Sequence, residues 1–156
     1  MKAVLSPLVL KDFAIVESRF EFVPQSDDVD DIEVLFNAYS IDLDFEYSKN
    51  EHFIANAVRV MINHPEDSNK LAGYSLMVEG TSIFEFKDSD ELTLEDKASL
   101  INYSGLSITI NQIRGFITAL TSYAPFGRYN LPTIDVNDLL SQKHAIMEKD
   151  KESESK

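Results

Sequence analysis

The chain has 156 residues, the size of one domain, and its 44% apolar and 26% charged side chains match ordinary folded protein. Its 27 acidic against 14 basic residues leave a formal charge of −13, which repels phosphate backbones and anionic lipid and argues against nucleic acid as a partner. With no cysteine, disulfides, thiolate zinc sites, iron–sulfur clusters and thiol nucleophiles are excluded, which fits a cytoplasmic location.

The N-terminal apolar stretch is broken by Ser6 and Pro7 and closed by Lys11 and Asp12, too short for a signal peptide. The uncharged run from Ala98 to Ile113 is interrupted by polar residues and falls short of a membrane span. The expectation is a protein that is neither exported nor inserted in a membrane.

Four period-two segments precede Asp88, the pattern of strands with one dry and one wet face. The first sets Leu8, Leu10, Ala14, Val16, Phe20 and Phe22 against Lys11, Glu17, Arg19 and Glu21, with Phe13 and Ile15 blurring the middle. The second alternates Leu35, Tyr39, Ile41, Leu43, Phe45 and Tyr47 with Ser40, Asp42, Asp44 and Glu46. Ile54, Val58, Val60 and Ile62 carry the third. Tyr74, Leu76, Val78, Phe84 and Phe86 carry the fourth, where Gly80 predicts a bulge or bend. The links from Pro24 to Asp31, Ser48 to Asn50 and His64 to Asn69 have turn composition.

After Asp88 the period changes. Leu106, Ile110, Ile113, Ile117 and Leu120 form one helical stripe, widened by Phe116 and ended before Pro125 and Gly127. Asp135 predicts the cap of a second helix with Val136, Leu139, Leu140 and Met147 on its apolar side. The pattern predicts an α+β fold, a four-stranded antiparallel sheet followed by two helices packed on one face. Residues 1–147 form the domain, and residues 148–156, without an apolar anchor, are expected to be a disordered charged tail.

Catalytic signatures are missing. The five glycines, at 73, 80, 105, 115 and 127, build neither a phosphate loop nor a nucleophile elbow. His52, His64 and His144 lie in separate segments without metal-ligand spacing. Asp42, Asp44 and Glu46 share a strand face, but carboxylates about 7 Å apart on an open surface read as a solvated face. Asp27, Asp28, Asp30 and Asp31 lack the glycine and terminal glutamate of a calcium loop. No catalytic residue, metal or cofactor is assigned, and the chain is read as a non-enzyme. Two features remain open between structure and function. Acids cluster from Asp27 to Glu46 and from Glu85 to Asp96, as a solvated surface or a docking surface for a basic partner. Apolar residues at Phe13, Ile15, Phe22, Val23, Phe36, Phe126, Tyr129 and Leu131 are either core or an exposed binding patch.

The stretch Asn111-Gln112-Ile113-Arg114-Gly115-Phe116-Ile117-Thr118-Ala119-Leu120 and the following Tyr123-Ala124-Pro125-Phe126-Gly127-Arg128-Tyr129-Asn130-Leu131-Pro132 resemble the helix and loop of the SecB export chaperones. Gly80-Thr81-Ser82-Ile83-Phe84 and Arg19-Phe20-Glu21 are similar to segments of that family's strands, and the resemblance spans roughly residues 8 to 147. It implies a SecB-like fold, a homotetramer built as a dimer of dimers, and an ATP-independent holdase that keeps unfolded polypeptide clients competent for Sec export. It implies Phe126, Tyr129, Leu131, Leu139 and Leu140 as groove-lining candidates. Glu17 and Glu21 match first-strand acids that dock the motor SecA, while Ser75 and Met77 depart from the docking pattern. Two alternatives accompany this reading: a SecB-like chaperone dedicated to one toxin–antitoxin system, and a small structural or ligand-binding oligomer whose apolar surface is sealed.

Overall fold

The structure, a computed structural model, describes residues 1–24, 31–50, 53–65, 69–87 and 92–154. Strands β1 (Leu8–Val23), β2 (Ile41–Lys49), β3 (Ile54–Ile62) and β4 (Gly73–Phe86) form one sheet in the order β1-β4-β3-β2, antiparallel throughout. A short helix α1 (Ile32–Asn37) precedes β2. Helix α2 (Leu94–Ser99), a π-helical turn over Leu100–Gly105 and helix α3 (Leu106–Thr121) follow the sheet, and α4 (Val136–Glu154) ends it. The α+β class with a four-stranded antiparallel sheet is therefore the one expected, with the helical layer opening earlier and more irregularly.

Period two works cleanly in the two central strands. Ile54, Val58, Val60 and Ile62 of β3, and Tyr74, Leu76, Val78 and Phe84 of β4, are buried on the inner face. The predicted stripe Leu106, Ile110, Ile113 and Ile117 of α3 closes over them. Burying each such side chain contributes about 1.5–3 kcal/mol before the chain entropy it must offset.

β1 departs from simple alternation for a physical reason. Two register shifts, between Leu10 and Asp12 and between Ile15 and Glu17, flip the strand and flip it back. Phe13 and Ile15 pair with Ser82 and Gly80 and pack on the core, while Val16 is exposed. Beyond the second shift, Phe20 and Phe22 return to face Leu76 and Tyr74. The irregularity expected at Gly80 thus belongs to the opposing strand. Gly80 itself makes room, because a β-carbon there would sit 2.9 Å from the Phe13 ring and 3.0 Å from Ile113.

Leu35 belongs to α1 and not to β2, which starts at Ile41. Asp31 caps α1 by accepting from the N–H groups of Glu33 at 2.8 Å and Val34 at 3.4 Å. Thr93 and Asp96 form a capping box at the start of α2. Asp135 caps α4 as predicted, accepting from Asn137 at 2.9 Å and Asp138 at 3.2 Å. Helix α4 then continues to Glu154, through the segment from Glu148 for which disorder was expected. Among the described residues, no helix is long and apolar enough to cross a membrane.

Candidate functional site

Aromatic residues from four elements meet at one end of the inner face. Phe36 of α1 lies 5.6 Å from Tyr39, 5.4 Å from Tyr74 and 5.2 Å from Tyr129, measured between ring centroids. Phe22 of β1 stands edge-on to Phe126 at 5.6 Å. Hydroxyls fix the frame. The Tyr39 hydroxyl donates to the Ala72 carbonyl at 2.7 Å and accepts from the Tyr74 N–H at 2.9 Å. The Tyr74 hydroxyl donates to the Gly127 carbonyl at 2.9 Å and accepts from the Phe126 N–H at 2.8 Å. The loop between α3 and α4 is thereby tied to the sheet.

A second set of bonds ties this loop to α3. Arg114 donates to the carbonyls of Leu131 at 2.9 Å and Pro132 at 3.0 Å, and to the side chain of Asn111. Thr121 accepts from the Tyr129 N–H at 2.9 Å. Such bonds satisfy loop amides and carbonyls that would otherwise be left unpaired at a buried edge.

Three recesses open around the held loop and between β2 and α4. The first, about 440 Å³, opens between α1 and the loop and is lined by Ile32, Phe36, Phe126 and Tyr129, with Arg128 at its rim. The second, about 350 Å³, lies between Ile41 and Leu43 of β2 and Ile134 and Leu139. The third, about 550 Å³ and mostly apolar, lies between Phe45 and Tyr47 of β2 and Leu140 and Met147 of α4. Ile41, Leu43, Phe45 and Tyr47 share one strand face, so the second and third recesses lie one after the other in a trench walled by β2 and α4. Nine residues of β2 at about 3.3 Å each give a wall of about 30 Å, enough for a comparable length of extended peptide.

Lys143 bridges this trench. Its ammonium lies 2.6 Å from the Asp44 carboxylate and 5.5 Å from the centre of the Phe45 ring. Burial pushes the Asp44 carboxyl up. The hydrogen bonds from Lys143 and the Phe45 N–H, with the charges of Lys143 and Arg59, outweigh it and hold the pKa below the usual value. Burial pushes the phenols of Tyr47 and Tyr129 up to about 12, and neither hydroxyl has a hydrogen-bond partner among the described residues.

The groove candidates separate. Phe126 and Tyr129 line the crevice, Leu139 the middle recess and Leu140 the third. Tyr129 is 2% exposed, a floor residue rather than an open surface. Leu131 lies in the core at 3% exposure and lines none of these recesses, because Arg114 pulls its carbonyl onto α3. Ile41, Leu43 and Tyr47 of β2 belong to the site without having been singled out for it, and Phe36, open in sequence between core and binding patch, lines the crevice. The signal available was β2's alternation, which marks a dry face without saying that part of that face stays uncovered.

The outer face is less acidic in effect than in composition. Glu17 pairs with Arg19 at 2.6 Å, Glu21 with Lys70 at 2.5 Å, and Glu79 with Arg59 at 2.7 Å. Ser75 and Met77 lie between these pairs and are buried. No group of three potential metal ligands occurs among the described residues. Asp27, Asp28, Asp30 and His52 lie outside them.

No protein-family profile matches the chain, and no curated protein matches it in sequence. Among solved structures it is similar to the Mycobacterium tuberculosis Rv1957 SecB-like chaperone in complex with a ChAD peptide from the Rv1956 HigA1 antitoxin. The TM-score is 0.57 at 10% identity, over 83% of this chain and 88% of that one. A Streptococcus agalactiae protein of unknown function matches with a TM-score of 0.36 at 8% identity, over 81% of this chain and 97% of that one. The first of these shows a SecB-like fold.

Proposed function

We propose that the protein is an ATP-independent holdase that receives unfolded polypeptide segments in the aromatic crevice and the β2–α4 trench. The observation that carries this reading is the aromatic crevice together with the mostly apolar recess between Phe45, Tyr47, Leu140 and Met147, with the loop above them held open by hydrogen bonds to the sheet and to α3. Burial at about 25 cal/mol per Å² is non-directional, so such a surface accepts many sequences provided they are extended and apolar. A folded protein hides the side chains that the trench needs. The SecB-like neighbour, solved with an antitoxin peptide, supports a polypeptide as the occupant.

Assembly as a dimer of dimers, a cytoplasmic location and delivery of clients to the Sec machinery belong to the same proposal. Delivery to a SecA-like motor requires Glu17 and Glu21 to exchange Arg19 and Lys70 for a basic partner. Those intramolecular pairs favour a second reading, a chaperone dedicated to an antitoxin, which makes no such demand. Titrating the purified chain with SecA and, separately, with antitoxin-derived peptides tests the two. Binding of the motor that Glu17→Lys and Glu21→Lys abolish supports export, whereas peptide binding without motor binding supports the dedicated role.

A further inference from the structure

We propose, resting on the holdase reading, that a polypeptide in the trench is held by its main chain as an added strand on the open edge of β2, and that the Asp44 carboxylate keeps the client's place there until it arrives. β2 is the last strand of the sheet and pairs only with β3. That pairing fixes which of its backbone groups are spare. The Asn50 N–H donates to the Phe53 carbonyl at 3.1 Å and the Asn63 N–H to the Ser40 carbonyl at 2.8 Å, so both ends of the ladder close on even-numbered residues of this strand. Bonded and non-bonded pairs alternate along an antiparallel ladder, and the register between these ends has no shift. Ile41, Leu43, Phe45 and Tyr47 therefore turn their N–H and carbonyl groups away from β3, and the same residues line the trench with their side chains.

The edge is guarded at its middle. The Phe45 N–H donates to Asp44 Oδ1 at 2.8 Å, and the same oxygen accepts from the Lys143 ammonium of α4 at 2.6 Å. A carboxylate thus occupies the position of a carbonyl on a neighbouring strand. The N–H groups of Ile41, Leu43 and Tyr47 have no such cover among the described residues. Folded proteins blunt open edges with bulges and charged side chains. Two bulges break the run of β1 at the other edge, whereas β2 is regular for nine residues and has the Asp44 carboxylate instead. Arg59, its cross-strand neighbour on β3, gives that carboxylate somewhere to turn when a client carbonyl takes the Phe45 N–H.

The spare groups recur every second residue, about 6.7 Å apart, a repeat that an extended peptide backbone matches. Main-chain bonds are the same for every sequence except at proline, so they add affinity without narrowing the range of clients.

The test uses the full chain and a short labelled peptide that alternates leucine and glutamine, either unmodified, N-methylated on the leucines or N-methylated on the glutamines. Affinity is read by fluorescence anisotropy, and the β2 amides by residue-resolved hydrogen exchange. One methylated form is expected to bind about tenfold or more weakly while the other keeps its affinity, because an added strand turns only alternate N–H groups toward its neighbour. The unmodified peptide should slow exchange at Ile41, Leu43 and Tyr47. It should bind Asp44→Ala about threefold tighter, since no placeholder then competes. Binding of the unmodified peptide with both methylated forms equally affected, or with no slowing at those three amides, overturns the proposal and leaves the holdase reading standing. Affinity that does not rise in Asp44→Ala overturns the role given to Asp44. Slow exchange at the same amides in the peptide-free chain, increasing with protein concentration, assigns the edge to a second copy and overturns the proposal too. Failure of the unmodified peptide to bind at all overturns the holdase reading, and this one with it.

Discussion

The Tyr74 hydroxyl on β4 donates to the Gly127 carbonyl at 2.9 Å, so a single phenol oxygen from the sheet sets the position of the loop that frames the crevice. The same oxygen accepts from the Phe126 N–H at 2.8 Å. Tyr74→Phe removes both bonds while keeping the ring. The expected cost is about 1–3 kcal/mol in urea unfolding, because the Phe126 N–H and Gly127 carbonyl lose a partner at a partly buried position. Client affinity should fall with it. Unchanged stability and affinity show that the loop is held by its bonds to Arg114 and Thr121 of α3 without Tyr74.

Gly73 lies under the same frame with φ +99°, and a β-carbon there would overlap the Tyr39 hydroxyl and come 3.2 Å from the Phe126 ring. Gly73→Ala is expected to destabilise by about 2 kcal/mol or more through backbone strain and displacement of Tyr39. Gly115 on α3 meets nothing within 4 Å, so Gly115→Ala should stabilise the isolated chain by about 0.5–1 kcal/mol through helix propensity. Thermal midpoints moving in opposite directions check both.

Alkaline pH tests the crevice floor. Tyr129 has its phenol pushed up to about 12 by burial, against 10.0 unperturbed. The folded state binds the proton more tightly than the unfolded state. The stabilisation is therefore complete below pH 10 and is lost as pH rises from 10 toward 12, by about 1.4 kcal/mol per pH unit for one such group. Tyr129→Phe should flatten its share of this slope. It should also hold or raise stability at neutral pH, since the hydroxyl it removes has no partner among the described residues. A clear loss of stability at pH 7 contradicts this account of the hydroxyl.

Charge reversal on the outer face separates two surfaces. Glu17→Lys with Glu21→Lys breaks the pairs with Arg19 and Lys70, exposed enough to cost only about 1 kcal/mol of stability in all. Client binding is expected to be unchanged, because the trench opens on the other side of the sheet edge. Loss of client affinity, read by titration with an unfolded polypeptide, rejects that separation.

The strands and the stripe on α3 are legible in the sequence because burial on one face imposes a period that polar residues cannot share. Phe13 and Ile15 break the parity and stay open in sequence between core and binding patch, and Val16 is misread as dry, because two bulges shift β1 and a bulge leaves no residue-type signature beyond that broken parity. Leu35 fits the alternation of β2 but is drawn into α1 by the Asp31 cap, a local bond that outweighs pattern. The site is half legible. Leu139 and Leu140 follow from the apolar side of α4, and Phe126 from its loop. Leu131, of the same chemistry five residues after Phe126, is core because Arg114 folds the loop back at that point. Composition cannot reveal that turn, just as it counts Glu17 and Glu21 as acid without showing the cations beside them.

The most direct measurement is nucleotide-free binding of a permanently unfolded polypeptide, and of its folded form, to the full chain and to the Leu139→Ser, Leu140→Ser double variant. The account predicts that the chain binds the unfolded form and ignores the folded one. It predicts that the double variant, with helix content retained, binds about ten- to a hundredfold more weakly, as removal of two apolar contacts requires. Failure to bind the unfolded form, or equal affinity in a folded double variant, contradicts the assignment of the β2–α4 trench as the client site.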